Sequence, residues 1–335
     1  MVASSPYVLV LGSSRDTQLA DTIERLRALG VDCLFLDHDA PEDFVAEMDA
    51  EGKLTLYSNG TPIPAPSLVW KRLKQNSVPS VWNEETLVDY VRAVEWSGFL
   101  NGLATLFADK MAYAHHNAWA IESRLYQLGV AAQSGFVVPP SALSVSAPAA
   151  IRFVDRHPDA VVKPLLMRNV PRLSGNPQHY RVMMTTAVSR SDVSGAPAGE
   201  FDTPVFLQSR LRRGVEYRVL AFREAIFAYE IRQKLESRVR VDERVLLYGE
   251  DGGVPLYLKQ YRACSPPTAI VEPAKRFLEL AGLEYAALDV VVDEEDAIFI
   301  EANAEGQWTA SVGRNYDSVV DHWASVIQRR IGELR

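Results

Sequence analysis

Apolar residues recur along this chain in two rhythms, and the switches between them mark out its elements. Tyr7–Leu11 (YVLVL) is an unbroken apolar run that stops at Gly12-Ser13-Ser14, the pattern of a strand buried on both faces of a parallel sheet. Leu19, Ile23, Leu26 and Leu29 follow at helical spacing up to Gly30, and Val31–Leu36 is apolar again. This β-α-β opening predicts an open α/β domain. Gly12 lacks the companions of a GxGxxG dinucleotide fingerprint and reads as the glycine of a tight strand-to-helix turn. Further strands are expected over Lys53–Tyr57 and Ser67–Trp70, one or two helices over Trp82–Leu106, and a helix over Asn117–Leu128 closed by Gly129. Gly135–Pro140 reads as a strand running into a turn, and a second domain is expected to start near residue 110.

Strands dominate the remainder. Val161–Leu165 is a short strand carrying one lysine, Lys163. The stretches RNVPRLSGNPQH (168–179) and SRSDVSGAPAGEFDTP (189–204) have the Pro, Gly and Ser content of loops, and VFLQS after them is a strand. Tyr217–Phe222, Ala225–Ile231 and Arg238–Leu247 read as strands, Pro273–Leu280 as a helix ending at Gly282, and Ser318–Ile331 as an amphipathic helix. Ala287–Val292 and Ala297–Ile300 are apolar strands joined by Asp293-Glu294-Glu295-Asp296, a hairpin signature. There is no internal repeat or low-complexity tract.

Composition narrows the class. With 335 residues, 47% of them hydrophobic, the chain can bury the cores of two or three domains. The net charge of -8 argues against nonspecific binding to nucleic acid, which needs clustered Lys and Arg, but permits a local basic cleft for a small anion. Cys33 and Cys264 are the two cysteines and form no CxxC, so neither a disulfide framework nor a zinc site is expected. The N-terminus lacks the basic and apolar regions of a signal peptide, and no apolar stretch approaches the roughly 20 residues of a membrane span. A soluble cytoplasmic protein without a membrane partner is expected.

The chemistry concentrates in ALDVVVDEEDAIFIEANAEGQW, residues 287–308. Asp289 lies in the first hairpin strand, and Glu301 and Asn303 end the second. Two residues apart in a strand, Glu301 and Asn303 share a face, and Asp289 can join them across the hairpin. Two carboxylates and an amide oxygen make a hard oxygen site of the kind magnesium takes together with substrate phosphates. Placed together without a cation, one carboxylate tends to protonate. Solvated strand residues are the other reading, against which their apolar neighbours speak.

At these residues the chain resembles a known family. A D…ExN hairpin after G-L-x-Y-x-x-x-D, with a lysine on an upstream strand, is similar to the C-terminal half of ATP-grasp ligases. EANAEGQW resembles the E-x-N-x-x-G-Q-W ending of the ligases that cyclise graspetides, ribosomal peptides with side-chain ester or amide links. VWKRLKQ resembles the W-x-R-R strand end of their N-terminal domain, and PVFLQSRLRRGVEYRV their hinge, Q-x-x-I followed by E-x-R-V. The resemblance implies an α/β (α+β) ATP-grasp fold: an N-terminal open α/β pre-ATP-grasp domain over residues 1–110, a central subdomain over 111–205 and a C-terminal subdomain over 206–335.

It also implies roles. Lys163 would contact the nucleotide phosphates, and the segment 168–176, with Ser174 and Gly175, would close over them or be an ordinary loop. Gln208, Ser209, Arg210 and Leu211 would form the hinge whose backbone recognises adenine. Glu216 would bind ribose, a solvated carboxylate at a strand start being the other reading, and Arg218 would balance γ-phosphate or acyl-phosphate charge. Asp289, Glu301 and Asn303 would hold magnesium, two ions being expected. One departure is expected: related ligases carry Asn-Lys or Asp-Lys at the head of the helix before the central subdomain. The corresponding pair, counted from Gly129, is Asn117-Ala118. Lys110 lies two helical turns earlier, and His115 and His116 point apart.

The implied reaction is attack of a substrate carboxylate on the γ-phosphoryl of ATP, giving ADP and an acyl-phosphate that an amine or hydroxyl then opens. Arg232, Lys234, Arg238, Arg240 and Arg244 form a basic run beside Asp242. Asp242-Glu243-Arg244 resembles the D-x-R segment that seats the acidic core peptide, with Arg72 a further candidate; a solvated face of alternating charge explains the run equally. The expected partner is a precursor peptide with acidic and Thr, Ser or Lys residues, and a homodimer is expected. A ligase of free amino acids or small acids, and a nucleotide-binding protein that has lost catalysis through Ala118, remain open.

Overall fold

The computed structural model describes residues 6–39, 43–72, 84–112, 118–163, 165, 169–170, 181–182, 185–194, 200–211, 214–233, 259–306 and 317–334. It opens with β1 (Tyr7–Gly12), α1 (Thr17–Ala28) and β2 (Asp32–Asp37), and β1 pairs in parallel with β2 and with β6 (Leu68–Lys71), in the order β2-β1-β6. Between β2 and β6 the chain adds a small antiparallel sheet, β3 (Phe44–Met48), β4 (Leu54–Ser58) and β5 (Thr61–Ile63). A single helix, α2 (Glu84–Leu106), covers one face of the parallel sheet, its Leu100, Leu103 and Phe107 neighbour packing on Leu9, Leu11 and Val69.

Two short helical pieces follow, α3 (Ala118–Ile121) and α4 (Arg124–Ser134). Ser123 precedes the first turn of α4, and Gly135 ends it in the left-handed region at φ 103°, where glycine carries no Cβ penalty. Gln127, Val130, Ala131 and Ser134 form its buried stripe. This corrects the expected helix over Asn117–Leu128: Gly129 lies on the solvent side of α4 rather than at its end. The expected strand over Gly135–Pro140 reduces to one bridge, Val137 to Ile298, and the strand itself, β7, begins at Ser141.

The central sheet runs β11-β8-β12-β7, from β7 (Ser141–Ser146), β8 (Ala160–Lys163), β11 (Thr186–Ala187) and β12 (Glu200–Ser209). Helices α5 (Ala147–Arg156) and α6 (Arg190–Ser194) cover one face through Phe153, Val154 and Val193 on Leu207 and Ala160. β9 (Asn169–Val170), inside the stretch 168–179 read as loop, pairs with β10 (Arg181–Val182), just beyond it.

The last sheet is antiparallel, β15-β14-β13-β16-β17, from β13 (Val215–Phe222), β14 (Ile226–Gln233), β15 (Lys259–Cys264), β16 (Tyr285–Asp293) and β17 (Asp296–Asn303). Strand alternation gives it two faces. Val219, Ala221, Leu288, Val290 and Phe299 pack against α4 and α7 (Thr268–Ala281). α7 starts before Pro273, which lies inside it, and ends at Gly282 in the left-handed region. On the other face, Leu220, Phe222, Tyr285 and Ala287 share a core with α1, the parallel sheet and the C-terminal helix α8 (Asp317–Gly332). Trp323 of α8 sits 5.3 Å from Trp70, 5.4 Å from Phe222 and 5.1 Å from Tyr285. The N-terminal and C-terminal sheets are therefore joined by one aromatic cluster. Among the described residues no helix is long and apolar enough to cross a membrane.

Candidate functional site

Aromatic packing covers only one end of that second face. The other end carries charge. Arg218, Asp289 and Glu301 stand directly opposite one another on β13, β16 and β17, a row across three strands. Asn303 lies two residues beyond Glu301, opposite Ala287, and Glu216 two residues before Arg218, opposite Val291. Parity puts all five on one face. The pairing shifts by one residue between Asp289 and Val290, so Phe299 and Ala302 both stay with the core while Glu301 and Asn303 face the side of Asp289.

The row is electrostatically strained. Arg218 Nη1 donates to Asp289 Oδ1 at 2.9 Å, with side chains 12% and 19% exposed. Burial pushes the Asp289 carboxyl up to about 6; Arg218 pulls it down, while Glu301 and Glu216 push it up. Burial works against the Arg218 charge too, but Asp289 outweighs it and the guanidinium holds its proton more tightly than usual. Asn303 is oriented by a turn: its Oδ1 accepts from the Glu305 N–H at 3.1 Å. One lone pair of that oxygen remains for another partner.

Glu301 meets a cation that sequence reasoning missed. Arg124, the first residue of α4, places Nη1 3.6 Å from Glu301 Oε2, and its guanidinium lies 5.9 Å over the Phe206 ring. Its position follows from Gln127, three residues later on the same helix face. The Gln127 amide accepts from the Ala302 N–H at 2.8 Å and donates to the Ile121 carbonyl at 3.0 Å, pinning α4 beside the end of β17. A cation in the first helical turn opposes the helix dipole, so helix stability does not explain it. Counted from Gly135, the helix head is Ser123-Arg124, so the positive charge that seemed missing at Ala118 is present as Arg124.

Phe206 connects this row to the central sheet. It is the register partner of Lys163, whose ammonium donates to Gln208 Oε1 at 2.6 Å. Gln208 is buried and in turn donates to Ser141 Oγ at 3.0 Å. Lys163, Phe206 and Gln208 share one sheet face, opposite to the Leu207 core. The Ser209 N–H donates to the Pro140 carbonyl at 2.9 Å, and Arg210 and Leu211 follow β12, half-buried. Arg124 thus stands between Glu301, at the end of the Arg218–Asp289–Glu301 row, and Phe206, on the sheet face that also carries Lys163 and Gln208.

Two expected substrate residues are placed elsewhere. Arg72 is 4% exposed and bonded within the interior, so it is corrected from a surface peptide seat to a buried tie. Arg232 falls on the sheet face opposite Arg218 by strand parity and pairs with Glu230 at 2.7 Å, so it does not join the Arg218–Asp289–Glu301 row. Ser174, Gly175, His115, His116, Asn117, Lys234, Arg238, Arg240, Asp242 and Arg244 lie outside the described residues.

The donor set suits magnesium. Asp289, Glu301 and Asn303 can each present an oxygen ligand, and burial, with Glu301 and Glu216 beside it, raises the Asp289 carboxyl despite Arg218, a cost that a bound cation would relieve. No group of three or more His, Cys, Asp or Glu side chains is placed to hold a metal among the described residues. The candidate set is instead two carboxylates and an amide, which leaves positions for phosphate oxygens.

No family model matches the chain, and no curated protein matches it in sequence. Solved structures do. The macrocyclase MdnC of Microcystis aeruginosa, bound with the precursor peptide MdnA, is similar with a TM-score of 0.73 at 19% identity, over 96% of this chain and 99% of that one. The ATP-grasp ligase PsnB, complexed with a minimal precursor, Mg and ADP, is similar with a TM-score of 0.69 at 19% identity, over 99% of both chains. A peptide-associated ATP-grasp ligase of Chryseobacterium gregarium, in complex with ADP and leader and core peptides, gives 0.69 at 17% identity, over 98% of this chain and 96% of that one. The fold is the ATP-grasp fold.

Proposed function

We propose that this chain is an ADP-forming ligase that activates side-chain carboxylates of a ribosomal precursor peptide and joins them to a hydroxyl or amine. The observation that carries the reading is the Arg218–Asp289–Glu301 row with Asn303 on one sheet face, linked through Arg124 and Phe206 to the face that carries Lys163. Peptide as the substrate class is supported by the structures it resembles, which are described as complexed with precursor peptides.

ATP is the co-substrate. Asp289, Glu301 and Asn303 would hold magnesium, two ions with the phosphates completing their shells, and when bound the metal neutralises phosphate charge and fixes its geometry. The protein's own groups do the rest. Lys163 and Arg124 bind phosphate oxygens, Arg124 exchanging Glu301 for the incoming anion at the N-terminus of α4. Gln208 to Leu211 would border the base and Glu216 the ribose; Ser174 and Gly175, outside the described residues, stay candidates for the phosphates. Arg218 offers fixed positive charge to the pentavalent phosphorus and to the acyl-phosphate that follows. A peptide carboxylate attacks the γ-phosphorus and ADP leaves; a hydroxyl or amine then adds to the acyl carbon and phosphate leaves. Arg240, Asp242 and Arg244 seat the acidic peptide. The three-part division at residues 110 and 205, a homodimer and a cytoplasmic location belong to the same proposal.

The experiment is co-expression with an acidic, Thr/Ser/Lys-containing precursor peptide encoded beside this chain, followed by mass spectrometry. One water lost per crosslink is expected. ADP release with free amino acids but not with peptide would replace the peptide reading by a small-acid ligase, and no ADP with either would sink both.

A further inference from the structure

Arg72 follows β6 at the C-terminal end of the parallel sheet and is almost fully buried. Backbone packing brings it there. Its N–H donates to the Leu11 carbonyl at 2.9 Å, and a Cβ on Gly12 would sit 2.7 Å from the Arg72 carbonyl oxygen, so only glycine at the end of β1 admits this approach. The guanidinium then faces three ways. Nε donates to Asp16 Oδ2 at 2.7 Å and Nη2 to Gln18 Oε1 at 3.4 Å, both within the N-terminal unit. Asp16 is itself fixed, because its other oxygen accepts from the Gln18 N–H at 3.1 Å and caps α1. The third direction leaves the N-terminal sheet: Nη1 donates to the carbonyl of Glu305 at 2.6 Å, 233 residues further along the chain.

Glu305 is the hinge of the turn that follows β17. Its N–H holds Asn303 Oδ1 at 3.1 Å, and its carbonyl, on the other side of the same Cα, is the one Arg72 grips. The rest of the turn is held from below. Gly306 N–H donates to the Asn303 carbonyl at 3.1 Å, Tyr285 Oη donates to the Gly306 carbonyl at 2.8 Å, and a Cβ on Gly306 would overlap Ala287 Cβ. The sheet fixes one end of this turn and Arg72 fixes the other. A charge-assisted bond between rigid partners transmits orientation, and a carboxylate-locked guanidinium is such a partner.

We propose that Arg72 is a positioning residue, through which the Asp16-capped N-terminal unit sets the orientation of the Asn303 side chain. The inference rests on the reading of Asn303 as a metal ligand. It makes metal binding depend on a residue that touches neither metal nor nucleotide and that is anchored outside the sheet carrying the ligands.

Two variants test it. Arg72→Lys keeps a charge against Asp16 but cannot reach Asp16 and Glu305 with two separate nitrogens. The double variant Asp16→Asn/Arg72→Met keeps the α1 cap and removes the Asp16 carboxylate together with its guanidinium partner. The measurement is Mn2+ affinity in the presence of ADP, by electron paramagnetic resonance, alongside ADP affinity without metal. Both variants, folded by circular dichroism, should bind Mn2+ about tenfold or more weakly, the usual effect of losing a partner that orients a ligand, with metal-free ADP affinity unchanged. Folded variants that bind Mn2+ as the wild type does overturn the proposal, as do variants that lose ADP equally with and without metal. A wild type that takes up no Mn2+ with ADP fails differently: it sinks the ligase reading, and this inference with it.

Discussion

Replacing Arg218 by methionine removes the charge that holds Asp289 down while keeping much of the side-chain volume. In the wild type the Asp289 carboxyl is raised from 3.8 to about 6, first by burial, then by Glu301 and Glu216, against the pull of Arg218. A carboxyl whose folded pKa is raised binds its proton more tightly folded than unfolded. Its contribution to stability is therefore complete below pH 3.8 and is lost as pH climbs through about 6. At about 1.4 kcal/mol per unit, the wild type loses on the order of 3 kcal/mol across that window. Without Arg218 the folded value rises further, so the loss continues above pH 6 where the wild type is already level. If Asp289 stays protonated to about pH 7.5, the additional loss is about 2 kcal/mol. Near pH 5 both proteins hold the proton, and the deficit there comes from the lost Arg218–Asp289 hydrogen bond, the removed buried charge and packing. Urea unfolding of the metal-free proteins, followed by tryptophan fluorescence at about pH 5 and about pH 7.5, should show the variant's deficit growing by about 2 kcal/mol toward the higher pH. A deficit that is constant, or larger in acid, would refute the reasoning, because Arg218 would then not be what keeps Asp289 charged.

Glu301→Gln should leave the fold intact and lower magnesium-dependent ADP formation by orders of magnitude; unchanged turnover removes Glu301 from the metal set. Arg124→Met should weaken ATP binding by about tenfold, some 1.4 kcal/mol, while leaving the urea midpoint nearly unchanged, and equal affinity in a titration would exclude it as a phosphate contact. Gly306→Ala should cost about 1–3 kcal/mol, because its Cβ would overlap Ala287 Cβ and sit 3.3 Å from Arg218 Nη2. Gly102→Ala, in open space on α2, should instead stabilise by up to about 1 kcal/mol, and thermal melts of the two compared with the wild type check both signs.

The elements that place the metal candidates were legible because burial and alternation coincide there. β1, β2, β16 and most of β13 read as apolar runs, since both faces of each strand meet packed neighbours. The polar residues interrupting them, Arg218 and Asp289, stood out for the same reason, and parity alone predicted that Glu301 and Asn303 share a side. Exposed strands carry no such contrast. β3 is mostly exposed, β5 has three residues, and β15 (KQYRAC) is a sheet-edge strand in which Arg262 and Ala263 are exposed, so none was anticipated. The role of Arg72 was illegible for another reason: its partner Glu305 lies 233 residues away, and nothing local distinguishes a buried arginine from a surface one.

Arg124 shows how a small error of register becomes an error of function. A glycine closes a helix by adopting positive φ, and the sequence offers two that could, Gly129 and Gly135. Only Gly135 does, at φ 103°. Hydrophobic periodicity does not favour the later window, because the buried stripe of α4 is Gln127, Val130, Ala131 and Ser134, half of it polar. Gln127 is buried only because the Ala302 N–H, on a strand 175 residues away, needs an acceptor. Moving the end from Gly129 to Gly135 moves the head by the same six residues, from Ala118 to Arg124, and turns a missing cation into a present one. The idea of a lapsed enzyme rested on that absence alone. With a guanidinium 3.6 Å from Glu301 and over the ring of Phe206, the register partner of Lys163, a cation stands at the helix head, and the absence at Ala118 is no longer an argument for lost catalysis.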